Sequence, residues 1–108
     1  MGNETLGGFE HRVLLAMMRI DGAAYSVPIV VELEACTGRT VSASAVYITL
    51  RRLERRGLVS SRMESPPGDQ GGKPRRVFRL EPAGLSQLRE SKDALARLWS
   101  GLAALDEV

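Results

Sequence analysis

The 108-residue chain has little of what most active sites are made from: one cysteine (Cys36), one histidine (His11), and five aromatic side chains, two Phe, two Tyr and one Trp. A lone cysteine cannot close a disulfide within the chain. One cysteine with one histidine cannot assemble a structural zinc set or a histidine-assisted nucleophile. No metal, cofactor or enzymatic activity is therefore expected. Long apolar runs are also missing. VLLAMM at 13–18 is cut off by charge well short of the ~20 residues a bilayer demands, which excludes a membrane span. No basic-then-apolar leader opens the sequence, and together with the single thiol this sets the reducing cytoplasm as the expected address. Few aromatics also argue against a binder of single-stranded nucleic acid, which holds bases by stacking.

Other signals for chemistry fail on spacing. GDQGGKP (68–74) resembles a phosphate loop, but it is one residue short, and Pro74 stands where a magnesium-binding hydroxyl is required. Glu32 and Glu34 are two apart and so do not share a helix face. Cys36 is expected to be a small core hydrophobe, and His11 a surface or dimer-seam residue.

What the chain does have is polarised charge. The net charge is only +2, yet residues 39–79 carry ten basic and three acidic groups, while the segments on either side are mildly acidic. Thirteen of the fifteen cations are arginine, the planar donor fork that suits phosphates and guanine edges, so a polyanion is the natural partner.

At roughly 100–200 residues per domain, the length allows one compact unit. Leu6, Phe9, Val13, Ala16 or Met17, and Ile20 recur at helical steps, which predicts a helix over about 5–20 that Asp21-Gly22 ends. A second helix is expected from a capping Ser26, with Pro28 in its first turn, a buried stripe of Ile29, Leu33 and Cys36, and Gly38 as its left-handed stop. Arg39-Thr40-Val41 leaves room for a stub of strand. Ser42 then caps a third helix, whose core face is Ala43, Val46, Leu50 and Leu53 and which Gly57 ends.

The texture next changes to short extended runs, LVSSRME (58–64) and RRVFRL (75–80), a β-hairpin around SPPGDQGGKP (65–74). Three prolines and three glycines in that loop predict a mobile tip. Pro82 opens a last helix expected to run to about 104. Along it Leu88, Leu95 and Leu102 fall seven apart, with Ser91, Leu98 and Leu105 offset by three. This seam is too short for an isolated coiled coil and has little of its own chain to cover it, so a homodimer is expected.

Three helices, a strand stub and a basic-tipped hairpin describe a winged helix-turn-helix, mostly α with a small hairpin. Residues 1–80 form the DNA-binding part, and 81–108 the C-terminal dimerisation helix. The third helix of this fold enters the major groove, and the hairpin, or wing, lies on the backbone or minor groove. At ~100° per residue, Ser44, Tyr47, Ile48, Arg51, Arg52 and Arg55 point away from the core. With Ser42 at the helix start they are the candidate recognition residues: Ser44 and Tyr47 as donors, the arginines for phosphates or guanine, Ile48 for a thymine methyl or a partner protein. Lys73, Arg75 and Arg76 suit phosphate neutralisation from the wing. Trp99 lies beside Leu95, Leu98 and Leu102, either packing in a dimer or forming a flat wall for an aromatic ligand.

The stretches LGGFEHRVLLAMM (6–18), AYSVPIVVELEACTGRTVSASAVYITLRRLERRGLVSS (24–61) and GGKPRRVFRLEPAGLSQL (71–88) resemble the PadR-like transcriptional regulators. The most specific pieces are AVYITLRRLERRG (45–57) after Ser42 and the RRVFRLEPAG run after a Gly-rich wing. The resemblance implies a dimeric repressor of double-stranded DNA with a palindromic operator. Its first and last helices, including Leu6 and Phe9, would form the dimer core, and a small molecule often serves as inducer. The chain resembles the short members that have one C-terminal helix, and it departs from the family pattern at Glu81, where a capping threonine is usual. Two other readings stay open: a winged helix used purely for protein interaction, and a non-specific nucleic-acid-binding module.

Overall fold

In the computed structural model, which describes residues 5–65 and 72–102, the elements follow in this order. They are α1 (Gly8–Arg19), β1 (Ala23–Ala24), α2 (Ser26–Thr37), α3 (Ala43–Arg55), β2 (Val59–Glu64), β3 (Arg75–Leu80) and α4 (Pro82–Trp99). Four helices and a small antiparallel sheet of order β1-β3-β2 make a winged helix. The strand stub lies at Ala23–Ala24, not at 39–41. Ala23 pairs with Arg79 and Ala24 with Phe78, adding a third strand to the hairpin, in which Val59 faces Leu80 and Glu64 faces Arg75. Residues 39–41 are held otherwise, by the Glu34 carboxylate accepting the Val41 N–H (2.9 Å). The middle of the wing loop, residues 66–71, lies outside the described residues, as does Leu105.

The core is built from Val13, Leu14, Ala16 and Met17 of α1, Ile29 and Leu33 of α2, Val46, Leu50 and Leu53 of α3, and Leu58, Val59, Phe78 and Leu88. Phe78 is wholly buried at the centre of the sheet's inner face. Truncating such a side chain to alanine costs about 3–5 kcal/mol.

Local signals explain the helix ends. The Ser42 hydroxyl accepts the Ala45 N–H (3.1 Å), a cap of the expected kind. Gly38 closes α2 at φ 70°, a left-handed turn that glycine enters without steric cost. Ser26 does not cap. Tyr25 occupies that place and no side chain caps the helix, so Ser26 is the first helical residue. On α3, Thr49 joins the core and Ala43 is exposed. Thr49 sits ~40° from Leu53 on the helical wheel, on the buried side.

Cys36 is exposed, not a core residue, and its thiol donates to Glu32 (3.4 Å), which also pairs with Arg19. Apolar residues surround α2, with Val27 and Val31 exposed too, so the sequence pattern does not single out the buried side.

The last helix starts against the turn between α3 and β2. The Glu81 N–H donates to the Leu58 carbonyl (3.0 Å), and the Glu81 carboxylate accepts from the Ser60 hydroxyl (2.6 Å) instead of capping α4. The expected helix to 104 stops at Trp99, because Ser100 turns to extended backbone (φ −60°, ψ 133°). From Lys92 onward every described side chain of α4 is exposed, so the helix leaves the domain that Leu88 anchors.

Candidate nucleic-acid interface

The solvent face of α3 carries Ser44, Tyr47, Ile48, Arg52 and Arg55 exposed, with Arg51 half-buried beside them. Ser42 and Ser44 share a hydrogen bond between their hydroxyls (3.0 Å) at the start of the helix, which ties Ser42 to the cap and leaves Ser44 outermost. Ile48 is 54% exposed in the middle of this polar face.

The face divides in two. Tyr47 and Arg51 turn toward the wing. The Tyr47 ring meets Phe78 of β3 edge-on, and Arg51 Nε lies 3.5 Å from the Glu54 carboxylate. Arg52 and Arg55 turn the other way, where with Arg56, Glu10 and Thr5 they border an open cleft of about 480 Å³ beside the start of α1. Arg56 is paired with Glu10 there (3.3 Å).

On the wing, Lys73 and Arg75 are exposed and Arg76 is half-buried. The Arg75 guanidinium stacks over the Tyr25 ring at 4.4 Å, a cation–π contact that ties the loop end of β3 to the residue that precedes α2. Arg76 donates from Nη1 to the Ser61 hydroxyl on β2 (2.9 Å). Sequence reasoning missed Tyr25, Ser61 and Glu54 because each acts on a side chain of another element: Tyr25 on Arg75, Ser61 on Arg76 and Glu54 on Ser61. The signal was faint: Ser61 directly faces the buried Phe78 in the hairpin register.

The predicted dimer residues separate as well. Leu88 is buried in its own chain's core (4% exposed) and is not available to a partner, which corrects the expected seam. Leu6 and Phe9 are half-buried against that same core. Leu95, Leu98 and Trp99 on the projecting part of α4, and Leu102 just beyond its end, are 45–72% exposed and leave an uncovered apolar surface. Leu6 and Leu95 also line one groove of about 450 Å³ between α4 and the segment that leads into α1.

His11 is half-buried, its Nδ1 hydrogen-bonded to the Ser91 hydroxyl of α4. Burial, and then the neighbouring Arg12 charge, hold its pKa below the ordinary 6.5. Among the described residues no group of three or more His, Cys, Asp or Glu side chains could hold a metal ion. No described helix is long and apolar enough to cross a membrane.

The model of the transcriptional regulator PadR-like family matches residues 14–90. A crystal structure of a PadR family transcriptional regulator from Eggerthella lenta is 31% identical, covering 93% of this chain and 88% of that one, with a TM-score of 0.69. Two others share the fold. A PadR-like transcriptional regulator from Bacillus cereus is 19% identical (TM-score 0.71, 93% and 92% covered). A transcriptional regulator from Clostridium thermocellum is 16% identical (TM-score 0.70, 90% and 89% covered). None of the curated proteins compared matches the chain.

Proposed function

Because the chain belongs to the PadR-like family of transcriptional regulators rather than to any enzyme family, we propose that it is a homodimeric repressor that reads a palindromic operator in double-stranded DNA. The observation that carries this reading is the exposed Ser44, Tyr47 and Ile48 face of a capped α3, with Arg51 half-buried beside it, set next to a basic wing. In that arrangement Ser44 and Tyr47 donate to phosphates or base edges, and the Arg51 fork takes a guanine. Ile48 meets a thymine methyl, while Lys73, Arg75 and Arg76 neutralise phosphates. The uncovered apolar surface at the end of α4 and just beyond it supports the dimer, since four large apolar residues in water are favourably removed by a second copy. Two recognition helices related by a two-fold then read half-sites ~10 bp apart. Repression follows if the occupied operator overlaps a promoter in the cytoplasm.

A planar aromatic ligand against Trp99 is the proposed inducer, supported by the half-exposed indole beside Leu95 and Leu98. Failure of every planar cationic or phenolic compound to quench Trp99 fluorescence removes the inducer and leaves the repressor intact.

The deciding experiment is selection of genomic duplex fragments by the purified protein at about 150 mM salt, then a salt titration on the winner. About six neutralised phosphates give a log–log slope near −5. A palindromic winner bound about a thousandfold over random DNA is the expected result. No enrichment with a steep slope on random DNA points to a non-specific coat. No DNA binding at all points to a protein-interaction module anchored by Ile48.

A further inference from the structure

Glu54 is an acid in the middle of a basic run, LRRLERRG, and reads in sequence as a solvated charge. In the structure it is on α3, and its carboxylate reaches both Arg51 of the same helix and Ser61 of the wing strand β2. Its Oε2 accepts the Ser61 hydroxyl proton at 2.7 Å, and Ser61 Oγ accepts from Arg76 Nη1 at 2.9 Å. The direction of this relay is fixed by inventory. Arginine has only donors and a carboxylate only acceptors, so the single serine proton must go to Glu54 and the serine lone pair must receive Arg76.

The other carboxylate oxygen, Oε1, is buried and makes no hydrogen bond, with Arg51 Nε 3.5 Å away as its compensating charge. A buried charged oxygen without a partner is costly, so Arg51 is held where it offsets that cost. With Nε turned to Glu54, the two terminal nitrogens of Arg51 remain as a fork of the kind that reads guanine O6 and N7.

We propose that Glu54 is a positioning residue that fixes Arg51 on the helix and, through Ser61, Arg76 on the wing in one geometry, making discrimination between DNA sequences depend on it. This inference rests on the DNA-binding reading above. An arginine freed from Glu54 drops onto any phosphate within reach, and the removed negative charge no longer repels the backbone. Glu54 therefore holds down affinity for wrong sequences and keeps the fork aimed for the right one.

The test compares wild type, Glu54→Gln, Ser61→Ala and Ser61→Thr on the selected operator and on random duplex by fluorescence anisotropy across a salt series. Glu54→Gln keeps the shape and an acceptor for Ser61 but removes the charge. It is expected to bind random DNA more tightly, with a slope steeper by about 0.9, one added phosphate. Its operator-to-random ratio should fall by about tenfold, the scale of one bidentate base contact. Ser61→Ala should lower the ratio by freeing Arg76, and Ser61→Thr, which keeps the hydroxyl, should restore it. A merely structural role lowers binding to both DNAs by one factor, so an unchanged ratio in Glu54→Gln overturns the proposal. If Glu54→Gln does not fold, Ser61→Ala with an unchanged ratio does the same. A wild type without a preferred operator overturns the function itself, and this inference with it.

Discussion

The Tyr47 ring of the recognition helix stands edge-on to Phe78 at the centre of β3, with centroids 5.9 Å apart and planes at 77°. One residue thereby serves two purposes. Its ring locks helix to wing, and in the DNA-binding reading proposed above its hydroxyl is a donor to DNA. Tyr47→Phe retains the ring pair and is expected to leave the urea midpoint nearly unchanged while lowering operator preference. Tyr47→Ala also loses an edge-to-face pair, an additional cost of about 0.5–1.5 kcal/mol. Full operator preference in Tyr47→Phe assigns the residue to packing alone.

Lys73 and Arg76 look alike in sequence, as two wing cations, but their surroundings differ. Lys73 is exposed, whereas Arg76 is half-buried and hydrogen-bonded to Ser61. Lys73→Ala is expected to weaken operator and random DNA by the same factor and to flatten the salt slope by about 0.9. Arg76→Ala should flatten the slope and lower the operator-to-random ratio as well. Identical behaviour of the two variants contradicts the difference drawn from their contacts.

How far the sequence revealed this arrangement depended on the range of the interactions. The helices and hairpin were legible because their periods and stops are local: Ser42 caps, Gly38 and Gly57 turn, Pro82 opens α4. Ala23–Ala24 was not, since two small residues carry no strand pattern and extend only because Arg79 and Phe78 lie opposite. Heptad spacing finds the leucines of the last helix but cannot tell that Leu88 is spent on its own core. The Glu54–Ser61–Arg76 relay joins residues of three elements, and no spacing rule along the chain encodes it.

Gly84 shows how closely α4 is seated. A Cβ there would come within 2.2 Å of the Leu58 carbonyl oxygen and 2.7 Å of Leu80 Cδ1. The backbone oxygen cannot swing aside, so Gly84→Ala must push α4 off the turn after α3, despite alanine's better helix propensity. A loss of about 1–3 kcal/mol, the usual cost of overpacking, is expected in urea unfolding. Unchanged or increased stability shows that α4 shifts freely on this turn.

His11 joins α1 to α4 through Ser91 and sets a pH dependence. Burial and the Arg12 charge hold its folded pKa below 6.5, so the unfolded chain takes up the proton more readily. Stability is therefore complete above about pH 6.5 and declines as pH falls through the lower folded value. The wild-type urea midpoint is expected to drop between about pH 6.5 and 5, above the carboxylate range, and His11→Gln to flatten that stretch. Parallel curves for the two proteins would rule His11 out as the cause.

Three apolar side chains on the projecting end of α4, with Leu102 just beyond it, set the last prediction. Leu98 is 72% exposed and Trp99 52%, so neither holds its own domain together, and a change there acts on association. Leu98→Asp places a charge in the proposed interface, where desolvating it without a partner is costly. The solution mass at micromolar concentration is expected to fall from two chains to one. With two half-sites no longer engaged together, operator affinity should fall by about a hundredfold or more. Trp99 supplies an internal check, because its emission should shift to the red as the wild type is diluted and the indole returns to water. A wild type already monomeric at micromolar concentration, with emission unchanged on dilution, refutes the homodimer. Since α4 would then protrude uncovered, the same result would assign the stripe to a different partner chain.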